Sequence, residues 1–183
     1  SEGYGVSIKG IDYAVDNDVK LIICLDCGIK AHKEISYAKQ KGVDFIVCDH
    51  HLPSDTLPEA WAVLDPKRVD SNYPYKELSG CGIGFKLIQA IQKEKNRPFD
   101  EILNFLDLVA ISIAADVVPL TGENRVLAYY GLKVINRCPR VGIEAILSYS
   151  KIKHEANSKL YFNRELTISD LVFLVGPRIN AAG

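Results

Sequence analysis

The chain has 183 residues, enough for one domain with a sizeable buried core, and its 48% apolar and 25% charged residues are an ordinary globular balance. Its 22 Lys and Arg nearly cancel 23 Asp and Glu, for a formal net charge of -1, which excludes a basic field spread over the whole protein. No apolar run is long enough to span a bilayer and no signal peptide opens the sequence, so a cytoplasmic protein without membrane contact is expected.

Val6 to Val15 carries an amphipathic helical pattern, and Asp12, Asp16 and Asp18, on it or just after it, read as a solvated face. Leu21 to Leu25 is a continuous β-prone apolar run closed by Asp26-Cys27-Gly28. Ala31 to Lys41 is predicted helical, with Ile35 and Ala38 on one face and Gly42 as its stop. Asp44 to Cys48 is a second buried strand ending at Asp49-His50-His51; Pro53 and Pro58 mark a loop, and Trp61 to Leu64 is a third strand ending at Asp65-Pro66. Strands alternating with helices imply βαβ units and a parallel sheet. With one common direction, Asp26, Asp49 and Asp65 share the carboxyl edge, where open α/β sheets bind ligands.

From Gly82 the pattern turns helical: Ile83, Leu87 and Ile91 share a face, and Asn96 to Pro98 ends that segment. Phe99 to Ala115 reads as one long apolar helix, followed by helical patterns at Glu123 to Asn136, Gly142 to Ser150 and Ile168 to Val175. Lys151 to Arg164 is polar and irregular, an expected exposed loop. The fold class is therefore α/β, with a parallel sheet flanked by helices in the first half (about 1–78) and a mostly helical second half (about 79–183).

Five cysteines are an odd, scattered set. Cys24 and Cys27 form a C-x-x-C, but no second close pair completes a zinc site, and Cys24 lies inside an apolar run rather than opening a helix. Buried, reduced thiols are expected. More telling is Cys48-Asp49-His50-His51, an acid and two imidazoles at a strand end, a donor mix that suits manganese, iron or zinc better than calcium. Asp26 is placed to add a bridging carboxylate. Asp116 follows the apolar Ile111 to Ala115, where a buried charge would need a partner or a metal. For any one of these residues the bland alternative, a solvated histidine or a helix cap, is favoured, and only the three sites together bring the two readings near even on composition.

The chain resembles the DHH phosphoesterase superfamily and, within it, the RecJ-type single-strand-specific 5′-to-3′ exonucleases of DNA repair and recombination. The resemblance is carried by Leu25-Asp26-Cys27-Gly28, Asp49-His50-His51, Leu64-Asp65-Pro66, Ser79 to Lys86, Asp107-Leu108-Val109, Ala115 to Leu120 and Gly176 to Gly183, in the family's order. It implies two divalent ions, Mn2+ or Mg2+, with Asp26 bridging them and His50 and Asp116 each holding one. It implies that Asp49 orients the ligands, that His51 faces the scissile phosphate and that Arg178 grips a phosphate with its planar fork. Gly80, Gly82 and Gly84 either admit a phosphate at a helix start or allow close packing.

The family's first motif, an Asp-x-Asp, and its second domain are not in this sequence, which lacks an initiator Met and stops within a motif. The chain thus reads as a fragment, expected to bind metal weakly and hydrolyse little by itself. Single-stranded DNA is the implied partner, alongside repair or replication proteins. Two other readings stand beside this one: a DHH phosphodiesterase acting on oligoribonucleotides or cyclic dinucleotides, and a catalytically silent nucleic-acid-binding module. No alternation of basic and aromatic residues announces a base-stacking surface.

Overall fold

The structure, a computed structural model, describes residues 4–150, 152–155 and 160–182. They fall into two compact units, 1–84 and 85–183, each with its own core.

The first unit is a parallel three-stranded sheet in the order β1 (Leu21–Leu25), β2 (Asp44–Cys48), β3 (Ala62–Leu64). Helices α1 (Ile8–Asp16) and α2 (His32–Gln40) precede β1 and β2. Ile11, Cys24, Ile29, Ile35, Ala38, Val43, Phe45 and Val47 form its core. The register pairs Leu25 with Cys48 and Cys48 with Leu64, so Asp26, Asp49 and Asp65 leave the sheet side by side at one edge. Ser7 caps α1 by accepting from the Gly10 N–H at 3.1 Å. Gly42, with φ +76, closes α2: its N–H donates to Lys39 O and the Val43 N–H to Ala38 O. Asp12, Asp16 and Asp18 are solvent-exposed, as a solvated face requires.

α3 (Gly80–Glu94) begins in this unit and continues into the second. There, α4 (Leu106–Ala115) buries seven residues and packs along α5 (Gly122–Arg137). Gly131 is what lets the two approach, because a Cβ there would overlap Leu106 O and the Ala110 side chain. α6 (Val141–Ser148) and the C-terminal elements complete a core of Ala110, Ala114, Ile135, Leu147, Leu171 and their neighbours.

Three sequence expectations need correction. Phe99–Phe105 is a 3-10 segment that precedes α4, not the start of one long helix. Ile102 is its buried residue, and over two turns an apolar pattern does not separate a period of 3.0 from 3.6. The last pattern is a helical turn, α7 (Ile168–Asp170), then a π-helical Leu171–Val175, then α8 (Gly176–Ala182). Pro177 has no N–H to donate and its ring crowds the preceding turn, so a widened turn before it relieves the conflict. Finally, the polar stretch after Ser150 is anchored rather than wholly exposed. Ile152 and Phe162 are buried, His154 and Phe162 form an antiparallel bridge, and the Asn136 side chain holds Leu166 through both its N–H and C=O.

Candidate metal centre

Asp26 sits at the first position past β1 with φ +66, a left-handed conformation that Asp tolerates better than most side chains. Its N–H still donates to Cys48 O at 2.9 Å, so the turn is tied to the neighbouring strand. Past β2, the Asp49 N–H donates to Leu64 O at 3.0 Å, which locks the Asp-His-His segment to β3.

Asp49 is 1% exposed and is an organiser. One oxygen accepts from His50 N (2.8 Å), His51 N (3.2 Å) and His51 Nδ1 (2.7 Å); the other accepts from Ile29 N at 2.9 Å. Burial pushes its carboxyl up, but the hydrogen bonds from Ile29, His51 and His50 outweigh it and hold the group below the usual carboxylate range. An ionised Asp49 can only accept, so His51 Nδ1 is the donor and Nε2 is left for another partner. His51 is half-exposed, whereas His50 is buried.

Ligand atoms of Asp26, His50 and His51 lie within 4.8 Å of one another. Asp26 Oδ1 is 3.0 Å from His50 Nε2, yet it is shielded from water and accepts no hydrogen bond among the described residues. Two electron-rich atoms in contact away from solvent call for a cation or a proton between them. One carboxylate and two imidazoles therefore fit a divalent transition ion.

Two contacts of Asp26 were not visible in the sequence. The Tyr4 hydroxyl donates to Asp26 O at 3.3 Å and to Asp26 Oδ2 at 3.4 Å. Gly80 opens α3 against Asp26, and a Cβ there would overlap the Asp26 carboxylate. Gly84 likewise meets Leu25, where a Cβ would sit 3.0 Å from Leu25 Cδ2. Close packing thus accounts for both glycines. The third strand-end acid, Asp65, is 5% exposed and accepts from Lys67 N at 2.8 Å. Burial raises its carboxyl, and the charge of Asp49 adds to the rise.

Asp116 and Arg178 belong to the second unit. Asp116 caps the end of α4 and accepts from Ser112 Oγ at 3.0 Å. It is exposed, so water solvates its charge and a burial cost does not argue for a cation there. Arg178, exposed on α8, donates through Nη1 to Leu174 O. The cysteines are free thiols; burial pushes Cys48 up to about 11, while Cys138 is exposed.

Residues 5–113 match the DHH family, N-terminal domain. The single-stranded-DNA-specific exonuclease RecJ of Salmonella typhimurium is 39% identical over 193 residues, covering 100% of this chain and 32% of that protein. The protein of the same name from Bacillus subtilis is 39% identical over 183 residues, covering 100% of this chain and 21% of its own length. The chain therefore spans a third or less of these curated relatives. A crystal structure of exonuclease RecJ bound to manganese superimposes with a TM-score of 0.76 at 31% identity, over 100% of this chain and 43% of that one. RecJ of Thermus thermophilus in complex with Mn2+ gives 0.74 at 29%, over 96% and 24%.

Proposed function

Because this chain belongs to the DHH family, we propose that it is the metal-holding part of a phosphodiester hydrolase that degrades single-stranded DNA from the 5′ end. The observation that carries this reading is the convergence of Asp26, His50 and His51 at the carboxyl ends of two adjoining parallel strands. The similarity to proteins named RecJ supports the choice of substrate, and the manganese in their structures supports the choice of ion.

Bound divalent ions supply Lewis-acid charge and an acidified water. The chain's own part is positioning. Asp26 and His50 offer a carboxylate oxygen and an imidazole nitrogen at contact distance, and Gly80 leaves room for that carboxylate. Asp49 holds His51 through Nδ1, so that Nε2, when it carries a proton, would donate to a phosphate oxygen or to the leaving oxygen. By resemblance to the family, Asp116 would add a metal-holding carboxylate and Arg178 would hold a backbone phosphate with two donors.

In the full-length protein, Asp26→Asn is expected to lower Mn2+-dependent release of nucleotides from labelled single-stranded DNA by about 100-fold or more, with a parallel loss of Mn2+ binding by calorimetry. Unchanged hydrolysis removes the proposal. Faster turnover of a cyclic dinucleotide than of a long single strand would reassign the substrate.

A further inference from the structure

The outer face of α5 has a composition that neither metal chemistry nor core packing requires. Arg125, Tyr129, Lys133, Val126, Arg137 and Tyr130 are all exposed and, at 100° per residue, fall within an arc of about 140°. The two tyrosine rings meet edge to face with centroids 5.2 Å apart, and each is about half-exposed. Lys133 Nζ lies 4.4 Å from the Tyr129 centroid and 5.6 Å from that of Tyr130. Beside them is a cleft of about 540 Å³, walled by Leu120, Val126, Leu132 and Ile168 as well as by the tyrosines. The acid of this helix, Glu123, is held by Lys86 at 2.9 Å. Among the described residues no carboxylate pairs with Arg125, Lys133 or Arg137. A chain of net charge -1 has thus gathered three cations around two open aromatic rings on one helix face.

We propose that this face of α5 is a second contact for single-stranded DNA, with Tyr129 and Tyr130 stacking on bases and Arg125, Lys133 and Arg137 neutralising phosphates. A protein segment would be served by the apolar cleft alone. The cations ranged along its lip favour a polyanion, and the rings favour one whose bases are unpaired. Stacking tolerates any base, so the contact holds the strand without selecting its sequence. The assignment of DNA as ligand rests on the function proposed above. The contact itself is independent of the metal centre.

The test is fluorescence anisotropy of a labelled oligothymidylate of about 16 nucleotides with the full-length protein in EDTA, where no strand is digested. Tyr129→Ala with Tyr130→Ala is expected to weaken binding about tenfold, and Tyr129→Phe with Tyr130→Phe to restore it, because stacking needs the ring and not the hydroxyl. Arg125→Gln with Lys133→Gln is expected to lower the slope of log affinity against log salt by about 1.4, at about 0.7 per phosphate contact on single strands. These residues are exposed, so folding is not at issue, and circular dichroism checks it. Unchanged affinity and salt slope in both pairs overturn the proposal, even if the Asp26→Asn result upholds the nuclease reading. Loss of nuclease activity in Asp26→Asn with full oligonucleotide binding leaves it standing.

Discussion

At the scale of single residues, the carboxylates divide by what surrounds them. Asp49 collects hydrogen bonds from Ile29, His50 and His51 and stays ionised although buried, whereas Asp65 has less to offset burial and is raised. Adjacency made the Asp-His-His group legible in the sequence. The contacts of Tyr4 and Gly80 with Asp26 were not, because they exist only once distant segments meet. In the second unit Asp170 accepts from Thr167 N in a reciprocal cap, and Arg164 forks onto it at 2.5 and 2.9 Å. Arg164 first, then the Thr167 donors, hold its carboxyl well below the usual range, against the opposing effect of burial. A depressed folded value contributes stability above the unfolded value of about 3.9 and loses it as pH falls through the folded value. Asp170→Asn should therefore cost about 1 kcal/mol at neutral pH, and the difference in melting temperature from the parent should shrink below about pH 4. A difference that stays constant down to pH 2 contradicts this.

At the scale of elements, three helices stop in the same way. The N–H groups of Asp18 and Val19, of Gly42 and Val43, and of Asn96 and Arg97 each return to the carbonyls of the last turn, with Asp18, Gly42 and Asn96 at positive φ. Gly42 was readable as a stop because Gly is the usual occupant of that conformation. Asp18 and Asn96 share it with less comfort. Nothing lies within 4 Å of a Cβ built on Gly42, so Gly42→Ala isolates the backbone cost. It should destabilise by about 1 kcal/mol in urea unfolding, and Asn96→Gly should be neutral or stabilising. If Gly42→Ala has no effect, the left-handed stop is wrong. Strands β1 and β2 were read to their last residue, since each is a β-prone apolar run closed by an acid, although only β2 is largely buried. The 3-10 and π segments were not readable, because they differ from an α-helix in hydrogen-bond partner and not in which residues are apolar.

At the scale of the whole molecule, charge and exposed apolar surface govern behaviour. The sequence pI is about 6.4, and with little net charge near that pH the chain should be least soluble there. β1 forms an edge of the sheet among the described residues and exposes Leu21, Ile23 and Leu25. Such an edge is a template for pairing with another chain. Ile23→Lys should lower concentration-dependent light scattering at neutral pH. Unaltered scattering would point to association through another surface.

Taken by itself, the sequence determined the order of strands and helices, the sharing of one sheet edge by Asp26, Asp49 and Asp65, and the candidate ligands at Asp26 and His50. Period, chain direction and residue chemistry are local properties. Tertiary structure alone decided that Asp49 holds His51 through Nδ1, that Gly80 clears space for Asp26, and that the rings and cations along α5 are left uncovered. These depend on distances between side chains separated along the chain or turned onto one helical face, and burial sets their strength. The sequence names such residues but does not bring them together.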